Sequence, residues 1–142
     1  MMNKEMARDY LERSLRCLEE ASMALSKGDY AGTVRRSQEA LELCLKSSLR
    51  AMGIEYPKEH DVSDVLEAEE HRLPGQMREA LEEIKDLSRE LASLRGPALY
   101  GYEREGIPAS KAFKRDYASS VFEKVRRHVE AIRGLLAPVL YD

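Results

Sequence analysis

Apolar residues recur along this chain at three- and four-residue steps, the spacing of one face of an α-helix. The first run spans about Lys4 to Ser26, where Leu11, Leu15, Leu18 and Leu25, with Ser22 between them, mark one face. Gly28-Asp29 ends this helix and starts the next, Gly suiting the C-terminal cap and Asp the N-cap. So short a connection predicts antiparallel neighbours. The second run, Tyr30 to Met52, carries one stripe of Val34, Leu41, Leu45, Leu49 and Met52. A second stripe of small residues, Ala31, Ser37, Ala40, Cys44 and Ser48, admits another helix closely and predicts a central position. Gly53 and Pro57 stop it. Asp61 predicts the cap of a short helix carrying Val62, Val65 and Leu66, broken at Leu73-Pro74-Gly75. The cleanest periodicity follows, from Gln76 to Leu94, with Met77, Ala80, Leu81, Ile84, Leu87, Leu91 and Leu94 in line. A last helix is predicted from near Ser110 to Pro138, striped by Phe113, Tyr117, Val121, Val125, Ile132 and Leu136. No segment alternates with period two, so the fold class is all-α, one domain over residues 1–142.

Between the last two long runs lies the only sizeable loop that the pattern predicts, residues 95–109, beginning Arg95-Gly96-Pro97-Ala98-Leu99-Tyr100-Gly101-Tyr102. Helical proteins tend to carry their chemistry where helix gives way to irregular backbone. Here that point holds a permanently charged guanidinium, two phenols and glycines that let backbone approach a ligand. Arg95 also suits a cation at a helix C-terminus, complementing the dipole.

Charge sharpens this picture. The net charge is −3, which argues against non-specific coating of DNA. Yet the two halves differ: over residues 55–90 acidic side chains outnumber basic ones twelve to five, and over 95–133 basic ones outnumber acidic ones nine to five. A locally positive groove on an acidic protein suits a phosphate or an RNA backbone. No apolar run approaches the ~18 residues of a membrane span. The first residues lack the layout of a signal peptide, so a cytoplasmic location and no membrane partner are expected. Cys17 and Cys44 read as small buried residues. His60, His71 and His128 have no metal-ligand spacing, so neither metal nor cofactor is expected. His60 reads as a structural tie between the short helix and the bundle. His128 would supply an imidazole to the loop if the last helix faced it.

The run from Arg35-Arg36-Ser37-Gln38-Glu39-Ala40 through Gly53 to Pro57-Lys58-Glu59-His60-Asp61 resembles the second helix and following turn of HEPN domains. In those domains an Ala-rich helix ends at a Gly, and a Pro-x-x-His-Asp-like element starts a short helix. The resemblance extends over roughly Lys4 to Pro138. It implies an up-and-down bundle of four to five helices, paired as a homodimer with two copies of the motif facing across a cleft. Many members are metal-independent RNases of toxin–antitoxin systems with a motif Arg-x4–6-His. Some carry a Tyr two residues after that His, and a small nucleotidyltransferase of the MNT type modifies it with AMP. Carried over, Arg95 matches the motif Arg, Tyr102 matches the modified Tyr, and Tyr100 stands where the His would be. RNA cleavage needs a group that moves the 2′-hydroxyl proton near neutral pH, where imidazole titrates and an ordinary phenol does not.

The resemblance therefore implies a catalytically degenerate module that binds a nucleotide or RNA. Arg95, Tyr100, Tyr102 and Arg104 would hold the ligand, Tyr102 would be the modification target, and a nucleotidyltransferase would be the partner. An active RNase toxin, with Arg95 stabilising the transition state and Tyr100 or His128 moving the proton, is the first alternative. A helical adaptor without a small ligand is the second.

Overall fold

The computed structural model describes residues 3–142. Among them are eight α-helices: α1 (Lys4–Ser26), α2 (Tyr30–Ala51), α3 (Ser63–Ala68), α4 (Gly75–Glu79), α5 (Leu81–Ser93), α6 (Arg95–Tyr100), α7 (Ala109–Ala112) and α8 (Arg115–Leu140). A single 3-10 turn, Glu70–Arg72, lies between α3 and α4. The architecture is an all-α helical bundle in which α2 touches α1, α8, α5, α6 and α7, the central place that its small residues predict.

α1 and α2 pack antiparallel through small side chains. Ser14 Oγ donates to the Ala40 carbonyl at 2.6 Å, and Ser47 Oγ donates to the Ala7 carbonyl at 2.7 Å. Ala7, Ser14 and Ala21 are fully buried and lie seven residues apart, so they share one face and bring the two backbones together. The buried line of α1 is thus Ala7, Leu11, Ser14, Cys17 and Ala21, rotated from the leucine stripe that the pattern suggests. Leu15, Leu18 and Leu25 are only half-buried, because part of that face fills a shallow groove beside Phe122 of α8.

The caps between α1 and α2 follow the sequence. Gly28 takes a left-handed φ of +77°, and Asp29 Oδ1 accepts from the Gly32 amide at 2.9 Å. Ahead of α3, Asp61 does the work of a cap from one residue upstream of the expected position. Its carboxylate accepts from the Ser63 amide at 3.0 Å and the Ser63 hydroxyl at 2.9 Å, while Val62 is the boundary residue. Ser88 Oγ adds a bond at 2.7 Å that ties this turn to α5.

The last helix begins at Arg115 and not near Ser110, because Phe113 and Lys114 take extended backbone between α7 and α8. Three further expectations need correction. The run from Gln76 to Leu94 is two helices, interrupted at Ala80, where φ is −94° and ψ is 3°. Ala is the best helix former, so packing causes the break. Met77 of α4 turns toward Ser48 and Ile132, in a small apolar hollow between α2 and α8, whereas α5 docks on α2 and α3. The last helix does not fade at Pro138 but runs to Leu140, which is 1% exposed and whose carbonyl accepts from Arg8 Nη1 at 2.8 Å. Docking of that last turn outweighs the lost amide of Pro138, whose orphaned acceptor is the carbonyl of exposed Gly134.

The third correction bears on function. Residues 95–109 are not an open loop. Residues 95–100 form α6, and Tyr102 to Ile107 closes as a tight hairpin. Gly96-Pro97 reads as a stop, yet Pro in the first turn of a helix loses no bond it could have made. The chain therefore pauses at Leu94 and resumes as a helix.

Candidate functional site

Arg95 is the first residue of α6, and its side chain crosses to α2, where Nη1 donates to Gln38 Oε1. Gln38 is only 3% exposed and spends both ends of its amide: Nε2 donates to Glu42 Oε1 at 2.9 Å. Glu42 accepts from Lys46 Nζ at 2.9 Å and pairs with His60 Nδ1 at 3.0 Å. Burial pushes the Glu42 carboxyl up, and the bonds from Gln38 and Lys46 outweigh it, so it stays below the usual carboxylate range. Gln38, Glu42, Lys46 and Arg50 are four residues apart and form one polar row along α2. Arg95 stands at one end of that row.

The neutral partner decides what Arg95 can do. Among the described residues no carboxylate lies within 4.0 Å of its guanidinium. An amide fixes the direction of the group without offsetting its charge. The remaining donors of an oriented, uncompensated guanidinium suit a phosphate, which accepts them in pairs.

Tyr100, at the C-terminal end of α6, is 67% exposed. Five helical residues rotate it about 140° from Arg95 around the axis, so the two side chains leave the helix in different directions. Gly101 then turns the chain with φ +73°, and Tyr102 and Ile107 exchange backbone bonds of 2.8 and 3.0 Å. Arg104 sits at the exposed tip between Glu103 and Glu105. Tyr102 faces the region of Tyr117 on α8, whose hydroxyl donates to Glu90 of α5. Burial, then the bond to Glu90, and to a smaller extent Tyr102, push the Tyr117 phenol above its usual range. Leu99 and Tyr100 at the end of α6 and Tyr102 and Ile107 at the base of the hairpin are all exposed.

His128 is not part of this corner. It is buried on α8 and bonds to Glu83 Oε1 at 3.0 Å, near the start of α5. Arg95 follows the other end of α5, about 18 Å away along the axis. Its imidazole is a structural tie, as is that of His60, which fastens the segment before α3 to Glu42. Cys17 and Cys44 are buried as the pattern predicts, and burial pushes the Cys44 thiol up to about 12.

The sequence reading of the site missed Gln38 and Glu42. Their signal was the polar i, i+4 row from Gln38 to Arg50, on a helix read mainly for its apolar and small stripes. Tyr117 was read only as part of the stripe of the last helix. No helix among the described residues is long and apolar enough to cross a membrane.

No curated protein and no solved structure matches the chain. The family model that does match is the HEPN domain, over residues 7–135, which runs from the first turns of α1 to the penultimate turns of α8. With that match spanning the bundle and the Arg95 corner, this chain belongs to the HEPN family.

Proposed function

We propose that the corner between α2 and α6 binds a phosphate of a nucleotide or of RNA, with Arg95 as its anchor. The observation that carries this reading is the pairing of Arg95 with the buried neutral amide of Gln38, which leaves the guanidinium charge available. Tyr102 adds an exposed ring on which a base can stack, and Arg104 adds a second cation at the tip. Tyr100 holds the place of the imidazole, which favours a binding module over an RNase. The exposed side chains of Leu99, Tyr100, Tyr102 and Ile107 suit a homodimer in which two such corners face each other. In this reading the physiological partner is a small nucleotidyltransferase of a toxin–antitoxin pair, and Tyr102 is its target. The protein works in the cytoplasm.

Thermal unfolding of the purified protein with ATP and with short single-stranded RNA tests the reading. A ligand that binds only the folded state raises the midpoint. The rise disappears in Arg95→Ala. No rise with either ligand leaves a helical adaptor as the better account. Cleavage of the RNA that is lost in Arg95→Ala makes the protein an RNase instead.

A further inference from the structure

The far end of the polar row on α2 opens into a hollow that the Arg95 corner does not use. A cavity of about 670 Å³ lies between the start of α1, the last turns of α2 and the segment 53–60. Arg50 is its centrepiece. The guanidinium carbon lies 4.9 Å from the centre of the Tyr10 ring and 5.4 Å from that of Tyr56. Nε donates to the Tyr56 hydroxyl at 2.8 Å. Lys46 Nζ is 5.5 Å from the same Tyr56 ring, and Lys58 lines the wall.

Arg50 sits in the last turn of α2, where a cation complements the helix dipole. The dipole accounts for a positive charge there. It does not account for two phenols fixing that charge at the edge of a hollow large enough for a small molecule. Among the described residues no carboxylate lies within 4.0 Å of Arg50 or Lys58. Glu42, the acid deepest in the wall, is already taken by Lys46, His60 and Gln38. Glu55 and Glu59 are exposed on the rim. Carboxylates at the mouth repel a long polyanion, whereas a single compact anion passes them to reach the cations behind.

We infer that this cavity is a second ligand site, which takes a small phosphate-bearing molecule on Arg50 and Lys58. The fork of Arg50 receives two phosphate oxygens, and the Lys58 ammonium offsets part of the remaining charge. Two phenol hydroxyls offer further donors. The volume left beyond one phosphate accommodates a sugar-sized or nucleoside-sized remainder. Arg50 is about 18 Å along α2 from Gln38, so the anchors of the two sites are separate, although Glu42 in the cavity wall bonds to Gln38.

The test is calorimetric titration of the full chain with inorganic phosphate, ribose 5-phosphate and a nucleoside monophosphate, with amide chemical shifts to locate the binding. The inference expects perturbed amides at residues 50–60 and about tenfold weaker binding in Arg50→Gln, with Arg95→Ala unchanged. Equal affinity for all three identifies the free anion as the ligand class. Tighter binding of one ester identifies that ester. Should Arg50→Gln fail to fold, the exposed Lys58→Glu takes its place and weakens binding likewise. No binding of any of the three at millimolar concentration overturns the inference. So does perturbation of the 50–60 amides that survives Arg50→Gln and Lys58→Glu, or that vanishes in Arg95→Ala. The Arg95 reading stands on a different substitution, so the two fail separately.

Discussion

Lys85 and Arg95 lie ten residues apart in the chain, and the fold treats their charges in opposite ways. The Lys85 side chain is 4% exposed, and its ammonium meets two carboxylates, Glu67 at 3.0 Å and Glu82 at 2.9 Å. The bonds it donates to Glu82 and then Glu67 hold it above the usual lysine range, and the one to Glu67 links α5 to α3. Arg95 also reaches across to another helix, but it meets an amide. A cation that only fastens helices is best neutralised where it stands. Arg95 keeps its charge while its direction is fixed, and the proposed phosphate site rests on that difference.

Four experiments break or sharpen that contrast. Arg95→Ala has the largest effect, a complete loss of the rise in melting temperature given by nucleotide or RNA. Its cost to the unliganded fold is about 1 kcal/mol, since Gln38 loses one hydrogen bond. Gln38→Glu makes the Arg95 corner resemble the Lys85 corner by giving the guanidinium a carboxylate. Ligand affinity then falls about tenfold in calorimetry, or about 1.4 kcal/mol, and the melting temperature falls too, because the new carboxylate replaces the donor that faces Glu42. If binding survives that substitution unchanged, the charge of Arg95 is not what holds the ligand. At the other corner the ligand response stays intact. Lys85→Ala lowers the melting temperature more than Lys85→Met, because Met keeps a long apolar stem while Glu67 and Glu82, both exposed, return to water.

The smallest effect concerns acid. Burial pushes the Asp61 carboxyl up, but bonds from Ser88 and Ser63 more than offset this, and it ionises below its ordinary range. A carboxylate with a depressed folded pKa stabilises fully above its unfolded value, near 3.9, and loses that contribution as pH falls through the folded value. Asp61→Asn therefore flattens the loss of stability below about pH 4 in acid unfolding followed by circular dichroism. An unchanged acid limb would show that this turn is not an acid-sensitive joint between α3 and α5.

The bundle was legible where a helix carries its own signals. Gly28-Asp29 and Gly53 announce their caps, and the stripes of α2, α5 and α8 match the buried residues. Legibility failed where a neighbour decides. The break at Ala80 and the survival of α8 past Pro138 depend on docking, which no local pattern encodes. The same distinction holds for the site. Arg95 stands out in the sequence because charge, glycine and aromatics cluster there. Gln38 does not, because its meaning comes from a contact 57 residues away. The resemblance has Tyr100 and Tyr102 hold a ligand together with Arg95, yet a helix in place of the expected loop turns Tyr100 away from Arg95.

Gly101 has a consequence for how this surface can change over generations. A side chain there would place its first carbon 2.2 Å from the Ile107 carbonyl oxygen, so the strand ends of the hairpin close directly on bare backbone. With Tyr102 and Ile107 joined by two hydrogen bonds just beyond, the entrance and exit of the tip are clasped together. Residues 103–106 hang outside the clasp, exposed and unburdened by the core. Insertions, deletions and charge swaps between those two points leave the bundle and Arg95 in place. The tip is thus an interchangeable part, free to change in length and charge while the bundle beneath it stays the same.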